Sequence, residues 1–118
     1  MYVDFFNVMT YDFHGQWEKE VGHNSPLFPI ESASGAKKKL TVDHGAKEWV
    51  KLGAPKEKLL IGMPAYGRSF LLEDPKKFDI GAPAKSGGTA GKYTDEEGFL
   101  AYYEVRDDFI VTLYICEG

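Results

Sequence analysis

The sequence predicts an α/β fold built on a parallel β-α-β unit, and three stretches carry that prediction. Phe5 to Gly15 begins as an apolar run and ends in a cluster of polar and aromatic residues, Thr10, Tyr11, Asp12, Phe13 and His14. Lys58 to Tyr66 repeats the plan, with Leu59, Leu60 and Ile61 leading to Pro64 and Tyr66. Short apolar runs without alternation are the pattern of strands buried on both faces. Between them, Thr41 to Leu52 has helical spacing: Val42, Ala46, Trp49 and Val50 fall at i, i+4, i+7 and i+8. Asp43 suits the positive amino end of that helix, Gly53 its C-terminal cap, and Pro55 blocks continuation. Strands joined through a helix should lie parallel, with a right-handed crossover. Trp49 is expected in the core.

In barrels and doubly wound sheets, ligands are handled at the carboxyl ends of such strands. Tyr11 and Asp12 stand at that end of the first strand and are the first candidates for chemistry. Tyr66 and Arg68 follow the second strand and are expected at the same rim. A Tyr–Arg stack that serves structure alone competes with a ligand-lining role for this pair.

The intervening segments are less periodic. His14 to Lys39 is rich in Gly, Pro, Ser and Asn and reads as a long loop. Trp17 within it either tucks down to staple the loop or stacks on a sugar. Lys37-Lys38-Lys39 reads as a solvated turn. Ser69 to Lys92 breaks the alternation, and its run Gly87-Gly88-Thr89-Ala90-Gly91 matches neither phosphate-loop spacing. Thr94-Asp95-Glu96-Glu97 has the spacing of a capping box. It predicts a helix starting there, carrying Phe99, Leu100, Tyr102 and Tyr103 to about Val105. Phe109 to Cys116 is β-branched and apolar and reads as a strand.

At 118 residues the chain suits one small domain or a piece of a larger one. Fourteen basic against 18 acidic side chains give a formal net charge of -4. That balance argues against nucleic acid and against anionic membrane surfaces as partners. The single cysteine, Cys116, has no internal disulfide partner and supplies no metal cluster. Met1-Tyr2-Val3-Asp4 is not a signal peptide, and no apolar stretch approaches the length of a membrane span.

Several motifs in series resemble the family 18 glycoside hydrolases, the chitinases and chitinase-like proteins. Met9-Thr10-Tyr11-Asp12-Phe13-His14-Gly15 is similar to the sixth-strand motif of that family, and Gly22-His23-Asn24-Ser25-Pro26-Leu27 to its next loop. Gly62-Met63-Pro64-Ala65-Tyr66-Gly67-Arg68-Ser69-Phe70 resembles the seventh strand. Ile80-Gly81-Ala82-Pro83 and Gly98-Phe99-Leu100-Ala101-Tyr102-Tyr103-Glu104-Val105 resemble the α+β domain inserted after it. The resemblance runs from about residue 2 to 105, and an animal-type chitinase fits it best.

The resemblance implies a piece of a (β/α)₈ TIM barrel in residues 1–68 and part of the chitinase insertion domain in residues 69–118. It implies hydrolysis of β-1,4-linked N-acetylglucosamine with retention, the substrate's acetamido group acting as nucleophile. No cofactor or metal is implied, the partner is chitin or a chito-oligosaccharide, and secretion follows only from the family. By resemblance, Tyr11 hydrogen-bonds the acetamido group, Asp12 holds the sugar distorted, and Met9 forms part of the floor. Trp17 stacks under a sugar, Tyr66 and Arg68 line the cleft, and Glu104 hydrogen-bonds another sugar.

Departures from the family pattern shape the expectation as much. The family's proton donor lies in a DxxDxDxE motif, and no such spacing occurs here. Arg106 stands where the family usually carries a cysteine, and Asp107 to Gly118 resembles nothing in it. Three readings follow: a chitinase fragment inactive by itself, a non-catalytic oligosaccharide binder, or a small β-α-β protein without the family's function. Marginal folding is expected too, because a two-stranded parallel unit leaves open edges and an uncovered apolar face.

Overall fold

A computed structural model describes residues 2–107. The parallel unit is present. Strand β1 (Phe6–Val8) pairs in parallel with β2 (Leu59–Ile61), in the register Phe6↔Leu59, Asn7↔Leu60, Val8↔Ile61. Helix α1 (Val42–Lys51) lies between them in sequence, one residue inside each predicted bound.

Both ends of α1 follow from local chemistry. Thr41 is the N-cap, and its hydroxyl accepts the His44 N–H at 3.2 Å. At the other end Gly53 takes φ 100°, open to glycine and costly for other residues. Its N–H reaches the Val50 carbonyl and the Ala54 N–H reaches that of Trp49, both at 3.0 Å. That pair of bonds is a Schellman motif.

Trp49 corrects the expectation of a core tryptophan. It is 41% exposed, with its ring centroid 5.6 Å from that of Phe6. Helical spacing identifies which residues share a face, but not how much of that face the neighbouring strand covers. Phe5, Val50, Leu52, Leu60, Ile61 and Met63 are exposed as well. The buried residues among these elements are Val8, Thr10 and Thr41. So thin a core against so much exposed apolar surface predicts a broad thermal transition and concentration-dependent self-association of the 118-residue chain. A sharp transition from a monomer, by calorimetry and size-exclusion chromatography, would contradict this.

The chain divides into two units. One is built from the chain up to Phe13 together with Ser25–Met63, and contains β1, α1 and β2. The other is built from His14–Asn24 together with the chain from Pro64 on. In the second unit β3 (Tyr66–Arg68) pairs antiparallel with β6 (Phe99–Ala101), and β4 (Phe70–Leu72) pairs antiparallel with β5 (Ala84–Gly87). The latter two strands fall where the sequence showed no periodicity. Their ribbon is short, irregular between Leu71 and Leu72, and β5 is made mostly of small residues, so no alternation marks it. The loop 14–24 joins this unit through backbone bonds: Val21 N–H to Ala82 O at 2.9 Å, Gly81 N–H to Val21 O at 2.8 Å, and Ala84 N–H to Lys19 O at 2.9 Å.

The helix predicted from Thr94 does not form there. Residues 92–98 are turns and irregular chain, 99–101 are β6, and the helix is α2 (Tyr102–Asp107). Asp95 at φ 49° and Gly98 at φ 75° lie in the left-handed region, which ends any right-handed helix. Lys37–Lys39 lie exposed in a 3₁₀ turn, Gly35–Lys39. The strand expected at 109–116 lies outside the described residues.

Candidate functional site

In the first unit the candidates follow directly from the end of β1. The Val8 carbonyl accepts both the Thr10 N–H at 3.1 Å and the Gly62 N–H at 2.9 Å. Thr10 is 1% exposed; its hydroxyl donates to the Gly62 carbonyl at 2.8 Å, and its own carbonyl accepts from Ser25 Oγ at 2.6 Å. These bonds tie the turn after β1 to the end of β2. Met9 stands out at 75% exposed. Tyr11 is half-buried, and a Cβ at Gly62 would come within 2.7 Å of its Cε1 and 2.8 Å of the Val8 carbonyl oxygen. Glycine at 62 is therefore what lets the Tyr11 ring lie against the end of the second strand.

Asp12, which is exposed, takes φ 59°. Aspartate tolerates that conformation better than most residues, but it still costs about 1–2 kcal/mol. Non-glycine residues held there concentrate at functional sites, where the surrounding structure enforces the strain.

In the second unit Arg68 is the centre. Tyr66 and Arg68 share one face of β3, and Phe99 lies directly across from Arg68 on β6. The Tyr66 and Phe99 rings stack, with centroids 4.7 Å apart. The Arg68 guanidinium lies 5.2 Å from the Trp17 ring, 5.4 Å from Tyr66 and 5.3 Å from Phe99. Its Nη1 donates to Gln16 Oε1 at 3.3 Å and is 3.8 Å from Glu96 Oε1. Asn24 Nδ2 donates to the Tyr66 carbonyl at 3.1 Å, bringing the loop onto the same strand. In the same unit, His14 Nδ1 and Glu18 Oε2 are 2.7 Å apart. The pKa of His23 is pushed down by burial first and by the neighbouring His14 second.

Glu104 is held by its own chain. It is 6% exposed, and both carboxylate oxygens are engaged by its own chain. Oε1 accepts the N–H groups of Tyr93 at 2.7 Å and Thr94 at 3.0 Å; Oε2 accepts the Thr94 hydroxyl at 2.8 Å and the Ala101 N–H at 2.9 Å. Burial works against its charged form, but the backbone N–H groups of Thr94, Tyr93 and Ala101 and the Thr94 hydroxyl outweigh it. Its pKa falls to about 2. The bond to Ala101, three residues earlier, is the acidic half of a capping box, so the glutamate that starts the helix is Glu104 and not Glu97. A Cβ at Gly91 would collide with Oε1, and one at Gly88 would come within 2.6 Å of Ser69 Oγ. The glycine-rich run is thus a close-packing device.

The structure places Met9, Tyr11 and Asp12 in the first unit and Trp17, Tyr66, Arg68 and Glu104 in the second. It brings Trp17, Tyr66 and Arg68 together around the guanidinium. Sequence reasoning gives no site role to Gln16, Phe99, Glu96, Tyr93 and Thr94, although it places Thr94, Glu96 and Phe99 in a helix and its cap. Phe99, Leu100 and Ala101 are all apolar, so no alternation in the sequence marks β6. Among the described residues there is no group of three or more His, Cys, Asp or Glu suited to a metal ion, and no helix long and apolar enough to cross a membrane.

Comparison with known proteins gives this geometry its class. The model of glycosyl hydrolases family 18 matches residues 1–113, and the chain belongs to that family. The match extends past Val105, where the motif resemblance stops. Mouse chitotriosidase-1 is 48% identical over 102 residues, which are 86% of this chain and 22% of that protein. The immunomodulatory active chitinase TsES1 of Trichuris suis superposes with a TM-score of 0.85 at 47% identity, covering 87% of this chain and 28% of that one. Human YKL-39, described as a pseudo-chitinase with retained chitooligosaccharide binding, gives a TM-score of 0.85 at 42% identity, over 89% and 29%. The chain thus spans about a fifth of the length of the curated relatives it matches. Its mixed α/β fold is that of a part of the family's TIM-barrel enzymes.

Proposed function

We propose that the chain carries sugar-orienting contacts of a family 18 chitin site and binds chito-oligosaccharides without a cofactor, while being unable to hydrolyse them by itself. The observation that carries this reading is Asp12, held at φ 59° immediately after a tyrosine packed over Gly62 at the end of β1. Tyr11 meets the acetamido group of a sugar, Asp12 holds that sugar away from its relaxed chair, and Met9 supplies apolar floor. Trp17 offers an exposed face for stacking, with Tyr66 and Arg68 beside it. Glu104 holds the segment around Tyr93 and Thr94 in place.

In the parent chemistry a glutamic acid protonates the leaving oxygen while the acetamido group attacks the anomeric carbon. The DxxDxDxE spacing that would provide that acid is not in this sequence. Losing a general acid alone typically forfeits ~10²–10⁴-fold in rate. Residues 1–68 belong on this reading to the barrel and 69–118 to the insertion domain, and secretion is carried over from the family. An intact Asp12, suited to distorting a sugar for reaction, favours a hydrolytic parent. The 42% identity to a pseudo-chitinase supports the second reading, a parent that binds without cleaving.

Titration with chitotetraose, read by Trp17 fluorescence in Trp49→Phe protein, tests the binding. A saturable change is expected. An unchanged spectrum at millimolar sugar would rule the reading out.

A further inference from the structure

Arg68 is situated to influence a ligand through Trp17. Its side chain is 11% exposed, whereas Trp17 is 55% exposed. The guanidinium lies close to three rings, 5.2 Å from Trp17, 5.4 Å from Tyr66 and 5.3 Å from Phe99. Gln16, the residue before the tryptophan, accepts its hydrogen bond at 3.3 Å. Gln16 is itself wedged. A Cβ on Gly98 would come within 2.7 Å of the Gln16 Cβ, and one on Gly87 within 2.9 Å. Gly15 closes the arrangement from the loop side, because a Cβ there would lie 2.5 Å from both Cζ3 and Cη2 of the indole. The arginine and the chain at Gly15 therefore both meet one exposed aromatic ring, and Gln16 and Phe99 in turn contact the arginine.

We infer that Arg68, together with Gln16 and Phe99, is a positioning device that fixes the plane of the Trp17 indole as a platform for a pyranose ring. The inference rests on the reading that Trp17 stacks on sugar. A platform whose orientation is set beforehand spares the ligand the cost of ordering it. The planar guanidinium is the part that does this: it stacks on aromatic faces, whereas an ammonium is a compact, strongly hydrated point charge. Arg68→Lys therefore keeps the charge and removes the orientation.

The test uses the full chain carrying Trp49→Phe, in which Trp17 is the remaining tryptophan. Chitotetraose affinity and the near-ultraviolet circular dichroism of Trp17 are measured for Arg68→Lys, Trp17→Ala and the double variant. Arg68→Lys is expected to flatten the indole signal and weaken binding about three- to tenfold. Combined with Trp17→Ala it should add no further loss, since both act through one contact. Additive losses would mean that Arg68 touches the sugar itself, and would overturn the inference. So would an unchanged indole signal and affinity in Arg68→Lys. If Trp17→Ala leaves the affinity unaltered, the stacking reading fails, while the indole signal of Arg68→Lys still decides whether the arginine orients the ring. Gly15→Ala moves the indole with Arg68 intact and should reproduce the Arg68→Lys loss. It serves where Arg68→Lys does not fold, and an unchanged signal and affinity there would also overturn the inference.

Discussion

Glu104→Gln is expected to be the most damaging single substitution in the second unit, and to remove most of that unit's sensitivity to acid. The carboxylate accepts four hydrogen bonds from Tyr93, Thr94 and Ala101, and an amide offers one acceptor oxygen in place of two. At least one of the N–H groups of Tyr93, Thr94 and Ala101 then loses its partner. The sign of the pH effect follows from a folded pKa of about 2 against the ordinary 4.5. The unfolded chain takes up the proton first, so the stabilisation is complete above about 4.5 and is lost as pH falls from there toward about 2. The midpoint of unfolding, followed between pH 6 and 2 by circular dichroism, should fall steeply in the parent chain. In Glu104→Gln it should be low already at pH 6 and nearly flat below. A variant as stable as the parent at pH 6 would show that the carboxylate does not hold this segment.

Gly62→Ala should have the largest effect in the first unit. The added methyl would meet the Val8 carbonyl oxygen at 2.8 Å and the Tyr11 ring at 2.7 Å. The carbonyl belongs to backbone already bonded to Gly62 and Thr10, so it cannot retreat without breaking the end of the strand pair. Overpacking of this kind costs about 1–3 kcal/mol. Urea unfolding read by Trp49 in Trp17→Phe protein should show the loss. Chitotetraose affinity should fall with it, because Tyr11 is displaced. Unchanged stability would mean that the β1–β2 junction is looser than the geometry requires.

The parallel unit was legible in the sequence because each of its parts is dictated locally. Two apolar runs mark the strands, the spacing of Val42, Ala46, Trp49 and Val50 marks the helix, and Asp43, Gly53 and Pro55 mark its ends. The degree of burial was not legible, since Trp49 depends on what lies over its helix face. The second unit is less legible for the opposite reason. Its strands are three or four residues long, and the glycines that follow β5 pack against distant neighbours, Gly88 against Ser69 and Gly91 against Glu104. The capping-box spacing at Thr94 was real, but Thr94 spends its hydroxyl on Glu104 and the Phe99 carbonyl. Tyr11 and Asp12 could be found from their place after a strand and from the family motif. The Arg68 cluster could be suspected only as a Tyr–Arg pair, because Trp17, Gln16 and Phe99 reach it from remote parts of the chain.

Equilibrium dialysis of the chain against chitotetraose, with mass analysis of the recovered sugar, tests the central claim most directly. It reads binding and cleavage together. The proposed division of labour, with orienting groups present and the proton donor missing, predicts sugar retained at millimolar concentration and recovered as the intact tetramer. Recovery of shorter oligomers above the rate in protein-free buffer, or no retention at all, would contradict it.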